Sequence, residues 1–435
     1  MPGKTRGRTD AGGGSTRRDF LRNTAAASAA VLAGTMARRS LGAAGANDRL
    51  GVGFIGAGGR AGSHMQIINH LKTQENVPVD LVAVCDAYRP RMERAKQAYK
   101  MANAYMDYRE LLADKAVDVV CIATPDHHHC IQAIDAVKAG KDVYCEKPVS
   151  HWRQFDLVKR LAEEVKKSGR VFQLGTQGMS DGAWHQMKKL VADGLIGRPI
   201  HAECGYFRVG DWGERGMPVD DPNAKPGSDL NWEAFLGDSP QRDFDVSRFF
   251  RWRMYEDYAG GPVTDLYPHS LTPVVSMLPV TLPSLVVATG GMFRYTEREV
   301  PDTFNMLIDY PEKLTIAVLG TQGNNDPTQP ARGAGGRMPT LRGWEGSLTV
   351  DGKEIIFAPA DGSKKQRQKF PIDHGENQGD HWKNLLDCVR GAKPAETFSP
   401  ADLAYHVQTA LIMGMWSLKQ GKVARFDAAN QKILM

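Results

Sequence analysis

The chain predicts an α/β protein in two parts. A doubly wound parallel sheet comes first, and an α+β part with an open, mainly antiparallel sheet follows. Three observations predict this. Short β-rich runs alternate with helical stretches between residues 50 and 174, the pattern of a parallel sheet. A glycine-rich turn joins the first of those runs to the first helix. Beyond residue 175 the runs shorten, lose their intervening helices and take hairpin spacing. At 435 residues the chain has room for two domains and a substantial core. The boundaries expected are 1–46 for a signal segment, 47–174 for the first domain and 175–435 for the second, with the last helices able to pack back on the first domain.

Residues 52–55 form the first expected strand, and 60–71 the helix after it. Between them Gly56, Gly58 and Ala61 fit G-x-G-x-x-G/A and, with Gly59 and Arg60, make a candidate dinucleotide turn of Rossmann type. The first glycine permits the tight turn, the second lets backbone approach a pyrophosphate, and Ala61 keeps the helix close to the sheet. The helix N-terminus then faces the anion. A second strand, 79–85, ends at Asp86. An acid there accepts both ribose hydroxyls and repels a 2′-phosphate, which favours NAD over NADP. Arg89, three residues on, softens that preference, and Asp86 can alternatively cap the helix expected over 90–101.

A third strand over 117–123 leads into Thr124-Pro125-Asp-His-His-His129 and a helix to residue 139. Adjacent histidines in an extended loop diverge, and no acid or cysteine stands at metal-ligand spacing, so no metal site is expected. One of the three histidines should face the nicotinamide end of the cleft, and the others should be solvated or cap the helix. The next strand, 141–145, closes on Glu146-Lys147-Pro148. Ligands in open α/β sheets bind at the carboxyl ends of strands. A lysine desolvated there can have its pKa lowered and serve in proton transfer. A helix over 152–168 and a strand over 171–174 complete the first sheet.

In the second part, a helix over 182–193 precedes a strand over 200–207. A long polar and aromatic connection, 211–253, follows it. Strands are expected at 284–289, 303–310, 314–319, 347–351 and 354–357, with amphipathic helices at 380–389 and 402–419. The stretch 320–339, rich in Gly, Pro, Asn and Gln, is expected to be a loop. The chemical signal is Gly260-Gly-Pro-Val-Thr-Asp265-Leu-Tyr-Pro-His269. Asp265 and His269 at i, i+4 would share a helical face. That spacing lets a carboxylate fix a histidine's tautomer or raise its basicity. Pro268 disfavours regular helix at Tyr267, although a helix's first turn tolerates proline. Trp232, Arg251, Arg253 and Tyr258, with Trp252, are candidates for a sugar subsite.

The net charge of +5 is concentrated at one end. Residues 1–46 carry eight Lys/Arg against two Asp/Glu, so the remainder sits near −1. That excludes a nucleic-acid surface. Thr16-Arg17-Arg18-Asp19-Phe20-Leu21-Arg22 matches the twin-arginine export pattern. Residues 25–37 are small and mildly apolar, too short to span a bilayer, and Ala44-Gly-Ala46 offers a cleavage site. Export from the cytoplasm, through the twin-arginine machinery to the periplasm or beyond, is therefore expected. Six cysteines include no C-x-x-C pair, and no disulfide framework is readable. Cys85, Cys121 and Cys145 fall on expected buried strands, as small hydrophobes.

Together these motifs resemble the glucose–fructose oxidoreductase, inositol dehydrogenase and rhizopine-catabolism (Gfo/Idh/MocA) family. The resemblance runs from about residue 49 to the C-terminus. It is carried by the glycine turn, Ala123-Thr-Pro125 with His129, Gly140-Lys-Asp-Val-Tyr-Cys-Glu-Lys-Pro148, and Gly260-Gly-x-x-x-Asp265-x-x-x-His269. It implies a Rossmann domain joined to a β-sheet domain that forms the substrate cleft and the contacts of a homo-oligomer. It also implies NAD(P)-dependent redox chemistry on sugars, polyols or related compounds. Lys147, Asp265 and His269 are then the catalytic set, with Glu146, Thr124 and Pro125 beside the nicotinamide and its ribose. Ser270-Leu-Thr-Pro273 stands where the family often has a further aspartate. In this reading His269 is the base, Asp265 holds its ring, and Lys147 stabilises the alkoxide, although Lys147 and His269 can exchange roles. Because nicotinamide cofactor is scarce outside the cytoplasm, the cofactor is expected to be held tightly. Two other readings are an NAD-dependent glycosidase that oxidises and eliminates, and a non-catalytic cofactor-binding protein.

Overall fold

The computed structural model describes residues 49–210, 216–325, 331–332, 336–391 and 396–435. The signal expected at residues 1–46 lies outside them. Residues 49–435 cluster as one compact unit.

The first sheet contains β1 (Leu50–Ile55), β2 (Val79–Cys85), β3 (Asn103–Tyr105), β4 (Val119–Ile122), β5 (Asp142–Cys145) and β6 (Phe172–Leu174). Their spatial order is β3-β2-β1-β4-β5-β6, every pair parallel. This is the doubly wound order, with its switch point between β1 and β4. All residues of β1, β4, β5 and β6 are buried, as expected of strands covered on both faces. The covering helices include α1 (Gly59–Thr73), α2 (Arg89–Tyr99), α3 (Tyr108–Ala113), α4 (Asp126–Lys138) and α5 (Phe155–Ser168). On α1, Ala61, Met65, Ile68 and Leu71 recur at helical spacing and are buried. β3 and α3 are additions to the expected alternation. The three residues of β3 are only half-buried, so the strand leaves little hydrophobic trace.

After α6 (Gly182–Ala192), the second sheet starts with β7 (Pro199–Val209). The connection of residues 211–253 contains two short helices, α7 (Trp232–Leu236) and α8 (Val246–Phe250). Next come α9 (Pro262–Asp265), α10 (Tyr267–Met277), β8 (Leu285–Gly291), β9 (Thr303–Tyr310) and β10 (Leu314–Thr321). β7 and β10 pair in parallel; the other pairings are antiparallel. The expected loop over 320–339 is a partial error. β10 runs to Thr321, the two-residue strands β11 (Gly323–Asn324) and β12 (Ala331–Arg332) lie within the stretch, and β13 (Gly336–Gly343) begins in it. β13 pairs with β7, Leu341 opposite Ala202, across a register shift between Arg337 and Thr340. Backbone pairing makes this strand where composition signalled none. β14 (Gly346–Asp351), β15 (Glu354–Pro359) and β16 (Gln368–Pro371) extend that side of the sheet. β17 (Ala424–Asp427) and β18 (Lys432–Leu434) extend the other.

The chain then returns to the first sheet. α11 (Gln378–Val389) places the fully buried Trp382 on Tyr144 of β5, rings stacked with centroids 4.2 Å apart. α12 (Ala401–Gln420) is buried along most of its length. The six cysteines are free thiols and buried. Among the described residues no helix is long and apolar enough to cross a membrane.

The turn after β1 demands glycine. Gly56 has φ +97°, and a Cβ there would lie 2.6 Å from the Ala123 carbonyl oxygen at the end of β4. Gly56→Ala should therefore destabilise the chain by about 1–3 kcal/mol, read as a lower midpoint in chemical denaturation.

Candidate active site

The turn that leaves β1 is built to meet an anion. Gly58 caps α1 with no side-chain cap, and the helix's first turn holds no acid. A Cβ at Gly59 would meet nothing within 4 Å, and one at Gly58 only Arg91, 3.8 Å away. The open N–H groups of this turn thus fit a dinucleotide pyrophosphate. Asp86 ends β2 as expected. Its Oδ2 accepts the Ala57 N–H at 2.6 Å and its Oδ1 the Tyr88 N–H at 2.8 Å. It therefore ties the glycine turn to the entry of α2. Burial pushes its pKa up, against Arg91 and the two backbone donors. Arg89, the expected modifier of cofactor preference, instead faces Ser228 and Asp229. The cation beside Asp86 is Arg91.

Glu146, one residue past β5, is 3 % exposed and has three nitrogens around Oε1, two of them hydrogen-bonded and the third an ion-pair contact through Arg60 Nη2. Arg60 contributes Nε at 2.8 Å and Nη2 at 2.7 Å, and His64 contributes Nε2 at 2.8 Å. Trp382 donates its indole N–H to His64 Nδ1 at 2.9 Å, so the proton of the neutral ring sits on Nε2, facing the carboxylate. Burial alone would raise the Glu146 pKa, but Arg60 and His64 hold it well below the carboxylate range. Gly175 is needed here by close approach: a Cβ would fall 2.6 Å from Glu146 Oε1. Neither His64 nor Trp382 was signalled by a sequence motif; α11 brings Trp382 from 318 residues away.

Lys147 is 11 % exposed, and its ammonium donates to the Asp265 carbonyl at 2.6 Å and to Asp265 Oδ1 at 2.9 Å. The same carboxylate lies 3.4 Å from Arg253 Nε and 3.9 Å from Arg208 Nη2. Burial opposes its charge, yet Lys147 and Arg253 push its pKa far below normal. His269 stands in the first turn of α10, half-buried. Burial and then Lys147 lower its pKa to about 3, while Glu146, Arg60 and Asp265 also act on the ring. The structure thus brings Lys147, Asp265 and His269 together, but with a different pairing. No hydrogen bond joins Asp265 to His269. Leu266 separates α9 from α10, so the two residues share no continuous helix, and Asp265 turns to the cations. Pro268, which has no N–H for a continuous helical ladder, accounts for the break.

Asp126, the first residue of α4, is a site residue that the sequence reading passed over. It is 3 % exposed, and burial raises its pKa to about 7 despite Arg253 and Lys147. Its position directly after Thr124-Pro125 was the available signal. Pro125 caps α4, and Thr124 donates its hydroxyl to Gln132 Oε1 at 2.8 Å.

The histidine triplet differs from expectation, because all three residues are buried inside α4. Nε2 of His127 and of His128 both face the Phe235 carbonyl, at 2.8 and 2.7 Å. His129 spans the carbonyls of Pro148 (Nδ1, 2.6 Å) and Thr124 (Nε2, 2.7 Å). Burial favours its neutral form, which donates to one of these carbonyls at a time. It positions the loops that carry Thr124 and Lys147. Among the subsite candidates, Trp232 stacks on Phe235 and bonds the Arg242 carbonyl, and Tyr258 is fully buried between His127 and Phe235. Both serve the aromatic core rather than a cleft. Arg251 donates to the Met217 carbonyl at 3.0 Å. Arg253 alone of the four touches the Lys147–Asp265 pair, and its guanidinium lies over Trp252 at 4.2 Å.

The fold and this site define a dinucleotide-binding protein of Rossmann type with a cluster of charged side chains at the ends of β4 and β5. The NAD-binding Rossmann model of the GFO/IDH/MocA oxidoreductase family matches residues 50–176, and the family's C-terminal alpha/beta model matches 181–313. The chain belongs to this family. It is similar to the inositol 2-dehydrogenase of Salmonella typhimurium, 32 % identical over 163 residues, 37 % of this chain and 45 % of the relative. It is also similar to the alpha-N-acetylgalactosaminidase of Shewanella oneidensis, 30 % identical over 175 residues, 37 % of this chain and 36 % of the relative. The chain spans less than half the length of these curated relatives. The structure of a levoglucosan dehydrogenase complexed with NADH and levoglucosan has the same fold, with TM-score 0.64, 19 % identity and coverage of 87 % of this chain and 99 % of that one.

Glu146→Gln leaves Arg60 without its buried anion and should cost about 3 kcal/mol in chemical denaturation. Asp126 predicts a pH effect. Its folded pKa of about 7 lies above the ordinary 3.8, so its contribution to stability is full below pH 3.8 and is lost as pH rises through about 7. Asp126→Asn should match the unaltered chain in melting temperature near pH 4 and exceed it above pH 7.

Proposed function

We propose that this chain is an NAD(P)-dependent oxidoreductase moving hydride between a nicotinamide cofactor and a CH–OH group of a sugar, polyol or related secondary alcohol. The observation that carries this reading is the Lys147 ammonium, held at the carboxyl end of β5 by Asp265 with His269 alongside. The nicotinamide, when bound, supplies the hydride acceptor or donor.

An ammonium has three protons. Two of those on Lys147 go to Asp265, and the third remains for a substrate oxygen. Lys147 is therefore the donor that stabilises developing alkoxide charge. His269, kept neutral by burial and by Lys147, has a lone pair for the hydroxyl proton. Alkoxide charge growing beside Lys147 offsets that cation and so raises the proton affinity of the ring during transfer. Asp265 positions Lys147 rather than His269. The matching Rossmann model and the inositol 2-dehydrogenase relative support this reading. Asp86 favours NAD over NADP.

The alpha-N-acetylgalactosaminidase relative favours a second reading on the same groups, in which the sugar ring is oxidised, the aglycone eliminated and the product reduced. Net oxidation of a free sugar, without release of an aglycone from a glycoside, separates the first from the second. The twin-arginine pattern at Arg17 and Arg18 supports export, with the cofactor loaded in the cytoplasm and retained, and a homo-oligomeric state completes the proposal.

Lys147→Met and His269→Ala should each lower turnover by about 10²–10⁴-fold while dinucleotide still binds, as measured by steady-state oxidation and by nicotinamide fluorescence. Unchanged turnover in either variant would remove that residue from the chemistry.

A further inference from the structure

The connection between β7 and α9 does more than link a strand to a helix. Its residues 217–233 fold over the end of β2 and the start of α2, beside Asp86. Leu230 forms a β-bridge with Tyr88, the Arg89 N–H donates to the Asp229 carbonyl at 2.9 Å, and the Asn231 N–H donates to the Ala87 carbonyl at 2.9 Å. Tyr88 packs edge-on against Phe250, and the Arg91 guanidinium lies 5.1 Å from the same ring. The strap is thus fastened by backbone, aromatic and ionic contacts together.

Within this clasp, Asp220 grips Arg91 with both oxygens: Nε to Oδ2 at 2.8 Å and Nη2 to Oδ1 at 3.0 Å. The two side chains are only 16 % and 17 % exposed. Arg94 adds a further contact to Asp220 at 3.2 Å. Arg91 also lies against the pyrophosphate turn, its Nη1 3.8 Å from where a Gly58 Cβ would stand. Its charge, and that of Asp220, both act on Asp86. An arginine beside the acid that ends β2 is the group able to take a ribose 2′-phosphate. A bidentate carboxylate uses the same fork of donors that a phosphate would use.

We propose that Asp220 is a specificity-determining residue for the dinucleotide. By occupying the Arg91 fork from the strap, it withholds the cation beside Asp86 from a 2′-phosphate and so enforces the non-phosphorylated cofactor. The choice between NAD and NADP is made jointly by Asp86, from the first sheet, and Asp220, from the segment after β7. This rests on the dinucleotide reading of the glycine turn.

The test is binding rather than turnover: the full chain, stripped of nucleotide, titrated with NADH and with NADPH. Asp220→Asn should narrow the NADPH-to-NADH ratio of dissociation constants by roughly tenfold or more, because it frees a bidentate phosphate donor. The double variant Arg91→Ala/Asp220→Asn should lose that gain. An unchanged ratio in D220N, or a gain that survives in the double variant, would overturn the proposal. If D220N fails to fold, Arg91→Leu/Asp220→Leu decides, because it removes the cation without leaving an unpaired carboxylate beside the ribose. With the fork already occupied, its loss should leave the ratio within about twofold, and a large shift towards NADH would contradict the masking. Failure of the unaltered chain to bind either nucleotide would overturn the dinucleotide reading itself, and the proposal with it.

Discussion

The contact between Lys147 and Asp265 is the constraint on which the cleft depends. Lys147 belongs to the end of β5, and Asp265 to a short helix that follows the strap. Their two hydrogen bonds, through the carbonyl and the carboxylate, therefore tie the first sheet to the part of the chain that leads into α10. An ammonium this far from solvent requires an anion beside it, and Asp265 in turn requires its three cations. The same pair sets the neighbouring chemistry. It leaves one ammonium hydrogen free of Asp265, and its Lys147 helps hold His269 neutral.

One residue earlier the chain solves a related problem differently. Glu146 is buried at the sheet's carboxyl edge, where Arg60 of the glycine helix neutralises it and the neutral His64 of the same helix hydrogen-bonds it. Trp382 then fixes the histidine tautomer. Adjacent residues of a single tripeptide thus anchor to opposite partners, Glu146 to α1 and Lys147 to α9. The position of the Lys147 ammonium follows from both anchors. Asp126 and Arg253 complete the ring of charge, with Asp126 at a pKa of about 7 the least committed of the groups.

Much of this was legible in the sequence, because local rules dictate it. The strand, glycine turn and helix over residues 50–73, and the closing acid Asp86, follow from patterns that a single stretch of chain contains. Glu146-Lys147-Pro148 was conspicuous for being polar at the end of an apolar strand. What stayed hidden depends on distant contacts. The i, i+4 spacing of Asp265 and His269 suggested a pair, but Pro268 broke the helix and Lys147 claimed the acid. Trp232 and Tyr258 looked like sugar platforms; only the packing of α7 and α8 shows them in the core. β13 was hidden in a Gly- and Pro-rich stretch because its pairing with β7, not its composition, makes it a strand. Arg91 was overlooked in favour of Arg89 because its partner Asp220 lies 129 residues away.

The central claim is that Lys147 and His269 flank the reacting carbon of a nicotinamide. A crystal structure of the full chain with NADH measures this without knowledge of the substrate. The account predicts the pyrophosphate at the N-terminus of α1, the ribose on Asp86, and the nicotinamide ring in the cleft with Lys147 and His269 within reach of its C4 face. A substrate oxygen would then sit about 3–3.5 Å from the reacting atoms. A nicotinamide bound away from Lys147, or a dinucleotide bound elsewhere than on the glycine turn, would contradict it.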